Sequence, residues 1–380
     1  MFGKWHLGQR EEFLPSNRGF DKYFGIPFSQ DMGATAWLMV EKFPFQPLPI
    51  PLLNQTTVVE QPVDLSTLNE RYTDFALSFM KEAVEEDKPF LLYASYNHVH
   101  APNSASPAFC NSSVRGPIGD AVQELDHSVG QILAGLSSLG VDNDTIVFYT
   151  SDNGAPLGQD CLGNGPLRDG KTTTWEGGVR VPGGMRWKGT IPPGQVLDMP
   201  VGTYDIFPTA LKAAGVELPT DRIIDGKDLS PLFDPATAPP AIHDCVYFHR
   251  IHGTPPAAVR CGAYKAHYTI TNTAKKCHHA TPFPAGNHTA EPILFNLLTD
   301  MGETKAIDAT SEEYKTQMGI INAAVKAHMD SIVQVQDQMA LGSDINLALC
   351  GAPDSKAKYP NDYNCTLSPD NYPPRLPPCL

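Results

Sequence analysis

The sequence predicts an α/β protein with a second, smaller antiparallel part, and three observations lead to this prediction. Two apolar runs, FLLYAS at 90–95 and TIVFYT at 145–150, have the length and flanks of buried strands. Amphipathic stretches at 69–86 and 118–138 alternate with them, which is typical of a largely parallel sheet covered by helices. After about residue 240 the apolar runs become short, as in an antiparallel sheet.

Each helix has its own pattern. The stretch 69–86 is amphipathic, and in 118–138 apolar residues recur at three- and four-residue spacing, which predicts a buried stripe. Those residues are Val122, Leu125, Val129, Ile132, Leu133 and Leu136. A third helix is expected at about 204–215. Residues 9–65 have weak periodicity and are rich in Pro and Gly, so we expect loops with short elements there.

The character of the chain divides it into three parts. We expect a first domain over 1–240, a smaller domain over 241–339 and a Cys/Pro-rich tail over 340–380. In the second domain CVYFHRI, AAVRCGAYKAHYTI and PILFNLLTD are predicted strands, followed by a helix at about 311–336.

Composition excludes several classes of function. The 380 residues are 41% hydrophobic and 18% charged, as in folded globular proteins. The formal net charge of −14 argues against nucleic acid as a partner. No uninterrupted apolar stretch of about 20 residues occurs, so no transmembrane segment is expected. A homodimer is compatible with the sequence, which does not otherwise indicate an oligomeric state.

Sequons and cysteines indicate the secretory route. Glycosylation sequons begin at Asn54, Asn111, Asn143, Asn287 and Asn364. None of the eight cysteines forms a C-x-x-C pair, and three of them lie in the last 31 residues, where disulfides would order the tail. The alternative is that most cysteines are free core residues. Because residues 1–20 contain no signal peptide, we expect a secretory protein that lacks its N-terminal part.

Four polar clusters lie where ligands would bind. They are GKWHLG near the start, NHVHAP after FLLYAS, SDNG after TIVFYT, and the loop NGPLRDGKTTTWEGGVRVP. Their chemistry-bearing residues are Lys4, His6, His98, His100, Asp152, Asn153 and Lys171. Since ligands in open α/β sheets bind beyond the carboxyl ends of the strands, we expect these clusters to share one site.

The first cluster combines a cation with an imidazole. In an extended chain residues two apart point to the same face, so Lys4 and His6 are expected to reach one site together. Gly3 and Gly8 would allow close approach of the backbone or of a ligand. The plainer interpretation is a surface lysine beside a partly buried histidine.

The other clusters suit acid–base and metal chemistry. Asp152 and Asn153 offer hard oxygen ligands for Ca²⁺ or Mg²⁺, although two ligands are too few for calcium and a strand-end turn is the alternative. His100 could donate a proton to a leaving group, or could be a hydrogen-bonded structural histidine. Lys4 and Lys171 could clamp an anionic group, or could be solvated surface charges.

In this order and at these separations, GKWHLG, VHAP, TSDNG and DGKTTTWEGGVRVP resemble the sulfatase family, in particular its arylsulfatase A and N-acetylgalactosamine-6-sulfatase group. The similarity continues through GDAVQELDHSVG, DRIIDGKDLSPLF and the tail. It implies an alkaline-phosphatase-like fold, with a large mixed sheet flanked by helices plus a smaller C-terminal domain with an antiparallel sheet and a helix. It also implies sulfate-ester hydrolysis by a formylglycine, made from a cysteine, beside one Ca²⁺ ion.

The resemblance also implies a role for each matched residue. Asp152 and Asn153 resemble metal ligands. Lys4 and His6 resemble the pair that contacts the formylglycine, with His6 helping to expel sulfate from the covalent intermediate.

The remaining matches concern the substrate. His100 and Lys171 resemble the residues that bind the sulfate and protonate the leaving group, and Ser29 resembles a further contact to the sulfate. The family acts on aryl sulfates, sulfated sugars or sulfolipids, and the location expected from the family is lysosomal or secreted.

Two departures from the family pattern stand out. The family carries an Asp-Asp pair and then C-x-P/A-x-R before GKWHLG, and neither is present in this sequence. Asp169 occupies a position where related sequences often have a cysteine, and Cys161 is a substitute that could pair with Cys277.

The missing motifs leave three hypotheses open. The first is a sulfatase represented by an N-terminally truncated chain, which would be inactive by itself. The second is a pseudo-sulfatase that binds sulfated glycans or lipids without cleaving them. The third is a phosphoryl-transfer relative of the same superfamily, which the four motifs favour less.

Overall fold

The structure, a computed structural model, describes most of the chain as two compact units. The described residues are 1–32, 50–157, 163–234, 236–237, 239, 241–250, 254–272 and 283–337. One unit contains Met1–Asp142 and the other Asn143–Gln338. The domain boundary expected at residue 240 stays a prediction, and the tail at 340–380 lies outside the described residues.

Regular elements occur in both units. The helices are α1 Leu68–Glu85, α2 Gly116–Ser138, α3 Glu176–Val179, α4 Ile206–Ala213 and α5 Glu312–Ser331. The strands are β1 Phe2–Gly3, β2 Phe24–Gly25, β3 Leu52–Asn54, β4 Thr57–Glu60, β5 Ala94–Ser95, β6 Ile146–Thr150, β7 Gly183–Trp187, β8 Cys245–Phe248, β9 Ala258–Cys261, β10 Tyr264–His267, β11 Thr269–Ile270, β12 Gly286–Asn287 and β13 Ile293–Asn296. The four helices longer than one turn confirm the helices that the sequence predicts, within a few residues at their ends.

The first unit is built on a mixed sheet in the order β4-β3-β2-β1-β5. β1 runs parallel to both β2 and β5, whereas β2–β3 and β3–β4 are antiparallel. Helix α1 covers the sheet because Leu68, Tyr72, Ala76 and Met80 recur every four residues and are buried. The ring of Phe2 in β1 stacks on Tyr72 at 5.3 Å between centroids. This sheet is therefore mixed, as the family resemblance implies, and not largely parallel, as the strand–helix alternation predicts.

The buried face of α2 differs from the predicted apolar stripe. Val122 is exposed, and of the six predicted positions only Leu136 is fully buried. The face that is buried instead carries Asp120, Glu124 and Ser128, whose side chains bind neighbouring segments. Burial of these polar side chains is compensated by their hydrogen bonds. The spacing of the apolar residues therefore does not decide which face of α2 is buried.

One further expectation about the first unit is wrong. FLLYAS is not a buried strand: only its last two residues form β5, and Leu91 and Tyr93 are 71% and 51% exposed. The physical reason is that β5 is the edge strand of this sheet. The described part of 9–65 does contain short elements, as expected: β2, β3 and β4 have only two to four residues each, too few to leave a periodic signal.

The second unit is built on an antiparallel sheet in the order β13-β10-β9-β8, as the sequence predicts. Helix α5 packs on this sheet through Tyr314, Met318 and Ile321. A disulfide joins Cys245 and Cys261, which face each other across β8 and β9.

Strand β6 comprises the last five residues of TIVFYT, but it is half-buried to exposed and pairs antiparallel with β7. The prediction of a buried strand in a parallel sheet is therefore wrong for this run, because its backbone partner is a strand about 35 residues later that reverses the chain direction.

Disulfides are present, in line with the secretory interpretation. Cys110, Cys245 and Cys261 are the cysteines within the described residues, and all three are disulfide-bonded. The alternative of free core cysteines is therefore wrong for these three. The other five, which include Cys161 and Cys277, lie outside the described residues. Among the described helices, none combines the length and apolarity needed to cross a membrane.

Candidate active site

The segment Lys4–His6 leaves the end of β1 and is held by its backbone on both sides. On one side Lys4 N donates to Ser95 O at 2.7 Å, and Ser95 Oγ donates to Lys4 O at 2.7 Å. On the other side Trp5 N and His6 N each donate at 3.0 Å, to Ile26 O and Pro27 O. The parallel strands β1, β2 and β5 therefore bring this segment close to residues 26–29 and 95–100.

Glycine is required where this segment begins. Gly3 has φ +100°, and a Cβ built there would lie 1.9 Å from Ser95 O. His6 also has a positive φ of 58°. The chain is thus not extended from Lys4 to His6, and the argument that places both side chains on one face of a strand does not hold. Backbone hydrogen bonds to two neighbouring segments hold Lys4 and His6 in place instead.

Ser29 lies in the same unit and is almost completely buried, at 3% exposure. Its Oγ has no hydrogen-bond partner within the described residues. A buried hydroxyl without a partner is costly unless something else binds it. Ser29 therefore fits the expectation of a polar contact to a ligand.

His100 is oriented by hydrogen bonds on its own loop and by Gln30. The Nδ1 atom of His100 lies 2.7 Å from Ala101 O, so Nδ1–H donates to this carbonyl. Gln30 Nε2 donates to Asn97 O at 3.1 Å and to His100 O at 2.7 Å. The residue next to Ser29 thereby ties the loop of His100 in place.

His98 has a different environment from His100. Its Nε2 lies 3.2 Å from Glu124 Oε2, and both side chains are buried. Glu124 Oε1 also accepts from Ser106 N at 3.2 Å. His98 is therefore a structural histidine that anchors the loop to α2. Sequence reasoning did not single out Glu124, although its four-residue spacing from Asp120 and Ser128 is a usable signal of a polar row along one helix face.

Asp152, Asn153 and Lys171 lie in the second unit, on two loops joined by hydrogen bonds. Lys171 N donates to Ala155 O at 3.1 Å, two residues beyond Asn153. Asn164 bridges the same loops, because its Nδ2 donates to both Ala155 O and Asp169 O at 2.9 Å. The metal-ligand and lysine clusters of the sequence are thus neighbours in this unit.

The glycines of this region permit backbone contacts that no side chain would allow. A Cβ at Gly154 would lie 1.7 Å from Gly177 O, and one at Gly170 would lie 2.2 Å from Ala155 O. Asp169 is buried, and its Oδ1 accepts from Gly170 N at 2.8 Å. Asp169 thus stabilises the turn in which it lies. Cys161 and Cys277 lie outside the described residues, so their pairing stays a prediction.

A buried ionic cluster supports the loop of Lys171, and it consists of Glu176, Lys265, His267 and Glu303. Lys265 Nζ lies 2.8 Å from Glu176 Oε1 and 3.3 Å from Glu303 Oε1. Glu303 Oε2 accepts from Glu176 N at 2.6 Å, and Glu303 Oε1 lies 2.7 Å from His267 Nε2. These contacts tie the segment that follows Lys171 to β10.

The charges in this cluster shift two pKa values. Burial opposes ionisation of Glu303, yet the charge of Lys265 and the contact with His267 lower its pKa to about 2. Burial lowers the pKa of His267, which stays neutral at pH 7 and donates from Nε2 to the carboxylate. The cluster was missed from the sequence because its members come from three distant segments.

The predicted site residues thus form two groups. Lys4, His6, Ser29 and His100 belong to the first unit, and Asp152, Asn153 and Lys171 belong to the second. The expectation of one common site stays a prediction. No cluster of three or more His, Cys, Asp or Glu side chains that could hold a metal ion occurs within the described residues.

Asp152 and Asn153 fit a hard cation by ligand type but not by number. Asp152 is exposed, and its carboxylate makes no ion pair or hydrogen bond within the described part of the chain. Ca²⁺ takes about six to eight oxygen ligands, so these two would supply a minority of its shell.

Comparisons with known proteins support the resemblance. The family model described as Sulfatase matches residues 1–216, and the model described as the C-terminal region of aryl-sulfatase matches residues 242–366. The chain is 36% identical over 371 residues to N-acetylgalactosamine-6-sulfatase of Mus musculus, covering 89% of this chain and 68% of that protein. It is 35% identical over 384 residues to Arylsulfatase A of Homo sapiens, covering 93% of this chain and 73% of that protein.

Solved structures confirm the fold. The PsFucS1 sulfatase from Pseudoalteromonas sp. is similar with a TM-score of 0.70 at 27% identity, over 87% of this chain and 71% of that chain. Ps i-CgsB has a TM-score of 0.68 at 24% identity, over 86% of this chain and 70% of that chain, which bears on the fold alone. The alkaline-phosphatase-like fold class is therefore confirmed. Both family models and both relatives agree, and the chain belongs to the sulfatase family.

Proposed function

We propose that the groups described above bind the sulfate of a sulfate ester and assist its cleavage, which is the sulfuric ester hydrolysis of this family. The observation that carries the proposal is the backbone arrangement at the ends of β1, β2 and β5. There the segment of Lys4 and His6 adjoins the loop of His100 through Ser95. The buried, unpartnered hydroxyl of Ser29 supports the same role.

Each side chain has a part that follows from its chemistry. Lys4 in the first unit and Lys171 in the second each offer a positive charge to sulfate oxygens, whereas the His6 ring and the Ser29 hydroxyl offer hydrogen bonds to them. His100 protonates the leaving oxygen. Its Nδ1–H is committed to Ala101 O, so Nε2 is the atom that would deliver the proton.

The family implies two further groups, a Ca²⁺ ion and a formylglycine, and the residues present fit only the first. Ca²⁺, which would stabilise negative charge on the sulfate, would be held by Asp152 and Asn153 through side-chain oxygens, with the rest of its shell from elsewhere. A formylglycine has no source in these residues, because no cysteine in the 380 residues begins C-x-P/A-x-R. These residues alone therefore provide no nucleophile for a covalent step, and we expect the 380-residue chain to release no sulfate by itself.

The second candidate function is binding of sulfated glycans or lipids without cleavage. The observation that favours it is the pair of lysines Lys4 and Lys171, which can bind an anionic group whether or not the ester is cleaved. The substrate class that we propose for either function is a sulfated sugar or an aryl sulfate, since one similar protein is named as a sulfatase of N-acetylgalactosamine 6-sulfate and another as an arylsulfatase.

The test measures binding and release on the same purified chain. N-acetylgalactosamine 6-sulfate and its sulfate-free parent sugar are titrated calorimetrically, and sulfate release is followed with an aryl sulfate. We expect binding that depends on the sulfate group and no release above the blank. Binding of neither ligand would overturn the proposal, whereas sulfate release would contradict the expected inactivity.

Substitution of a cation tests the assignment of Lys171. We expect Lys171→Ala to weaken binding of the sulfated sugar about tenfold, which corresponds to about 1.4 kcal/mol. The matched control is Lys212→Ala, since Lys212 is an exposed lysine on α4 of the same unit. Equal affinities of the two variants would contradict the role of Lys171.

We also propose glycosylation and a lysosomal or secreted location. The side chains of Asn54, Asn111, Asn143 and Asn287 are exposed, as an acceptor asparagine must be, and Asn364 lies outside the described residues. Expression in a secretory host followed by enzymatic deglycosylation should lower the mass of the chain. No change in mass would contradict this part of the proposal.

A further inference from the structure

Two histidines outside the candidate active site point their ring nitrogens at each other. His249 directly follows β8, and His328 lies in the last turn of α5. Their Nε2 atoms are 2.8 Å apart, and His249 is exposed to solvent. One of the two rings must accept this hydrogen bond, so at least one Nε2 carries a lone pair.

The surroundings fix the orientation of both rings. His249 Nδ1 lies 3.2 Å from Thr254 O, so Nδ1–H donates to this carbonyl and the lone pair is on Nε2. The ring of His328 lies flat on Tyr247, with 3.8 Å between centroids and 4° between planes. The hydroxyl of Tyr247 in turn donates to Ala324 O, one turn earlier on α5. A backbone carbonyl on the distal ring nitrogen is the usual outer partner of a metal-binding histidine.

The local electrostatics favour the neutral form that binds metals. Burial and the neighbouring His249 lower the pKa of His328, and the carboxylate of Asp225 acts in the opposite direction. The lowered pKa favours the uncharged ring of His328 as a ligand, while the acidic side chain of Asp225 favours an incoming cation.

We propose that His249 and His328 bind one divalent transition-metal ion of the zinc type through their Nε2 atoms. A Zn–N distance of about 2.0–2.1 Å and tetrahedral geometry place two ligand nitrogens about 3.3 Å apart, so the rings need to separate by about half an ångström. The hydrogen on His328 Nε2 moves to Nδ1 of the same ring, which leaves the net charge of the protein ligands unchanged.

The site is distinct from the proposed calcium ligands in both position and chemistry. Imidazole nitrogens suit zinc and copper, whereas Ca²⁺ selects oxygen ligands, so excess Ca²⁺ should not compete. Water molecules complete the shell, because no third His, Cys, Asp or Glu joins these two in a metal-binding cluster within the described residues. Two protein ligands hold a metal less tightly than the three or four of dedicated zinc sites.

Calorimetric titration of Zn²⁺ into the full chain at neutral pH, with Ca²⁺ in excess, tests the proposal. We expect saturable binding that is lost in the double variant His249→Gln, His328→Gln. The matched control is His127→Gln, since His127 is an exposed histidine on α2 whose ring lies 5.4 Å from that of Phe109, centroid to centroid. Wild-type affinity in this control supports the proposal, and identical isotherms for the wild type and the double variant overturn it.

A second measurement on the unaltered chain keeps the test valid if the double variant does not fold. Electron paramagnetic resonance of the chain loaded with one equivalent of Cu²⁺ should show hyperfine coupling to two imidazole nitrogens. The coupling and the zinc affinity should both diminish at pH 5, where the rings take up protons. A spectrum with no nitrogen coupling at neutral pH would also overturn the proposal.

Discussion

Replacing Glu303 with Gln removes a negative charge from the buried ionic cluster that supports the loop of Lys171. The Glu303 side chain is 0% exposed and contacts Lys265, His267 and the backbone N–H of Glu176. A glutamine there can accept from Lys265 and His267 with its oxygen, but its NH₂ group then faces the N–H of Glu176. The variant therefore loses the negative charge of the carboxylate. Two hydrogen-bond donors, the new amide group and the backbone N–H of Glu176, then face each other without an acceptor.

The size of the effect follows from the pKa of Glu303, which falls from 4.5 to about 2 on folding. By linkage this difference corresponds to about 3 kcal/mol of unfolding free energy at neutral pH. Because the folded pKa is depressed, the contribution is complete above pH 4.5 and is lost as the pH falls toward 2. We expect Glu303→Gln to lose about 3 kcal/mol at neutral pH and to approach the wild type in acid.

Urea unfolding at a series of pH values measures this difference. The matched control is Glu312→Gln, whose side chain is 88% exposed and forms an ion pair with Lys315 on the same helix. The control should remain within experimental error of the wild type at every pH. A Glu303→Gln variant as stable as the control, or a stability gap that does not change with pH, would refute the reasoning.

Two further predictions concern the backbone near Lys4 and the disulfide of the second unit. Gly3→Ala should lower the unfolding free energy by about 3 kcal/mol or more, because its Cβ would lie 1.9 Å from Ser95 O at φ +100°. Gly19→Ala, at φ +97° with nothing within 4 Å, should cost only about 1 kcal/mol, and equal losses in urea unfolding would contradict the steric argument. Replacing Cys245 and Cys261 by Ser opens a loop of 16 residues and should cost about 3 kcal/mol, measured by thermal unfolding. Unchanged stability of this double variant would show that the crosslink does not constrain the unfolded chain.

Helices and the antiparallel second sheet were predictable because their signals are local. The four-residue spacing of Leu68, Tyr72, Ala76 and Met80 survives in the sequence whatever surrounds α1. The error at TIVFYT has the opposite origin, because the direction of a strand and its burial depend on which distant segment pairs with it. The short strands β2 to β4 can be identified only from their backbone pairing with neighbouring strands, which the sequence does not show.

The site was predictable in part. Motif resemblance located Lys4, His6, His100, Asp152, Asn153 and Lys171, and placed them after strands or in glycine-rich loops. What it did not reveal is how these residues are held: Gln30 on the loop of His100, Glu124 on His98, and Glu303 behind Glu176. These partners are 26 to 127 residues away along the chain, and no spacing rule connects them.

The sequence by itself determined the family, the residue types at the site and the lack of a C-x-P/A-x-R cysteine, since motifs are statements about order and identity along the chain. Only the tertiary structure decided that His98 is structural and His100 oriented, that α2 buries its polar face, and that two surface histidines meet at 2.8 Å. The reason is physical. Burial, pKa and ligand geometry depend on distances between residues that are remote in sequence, and those distances exist only once the chain has folded.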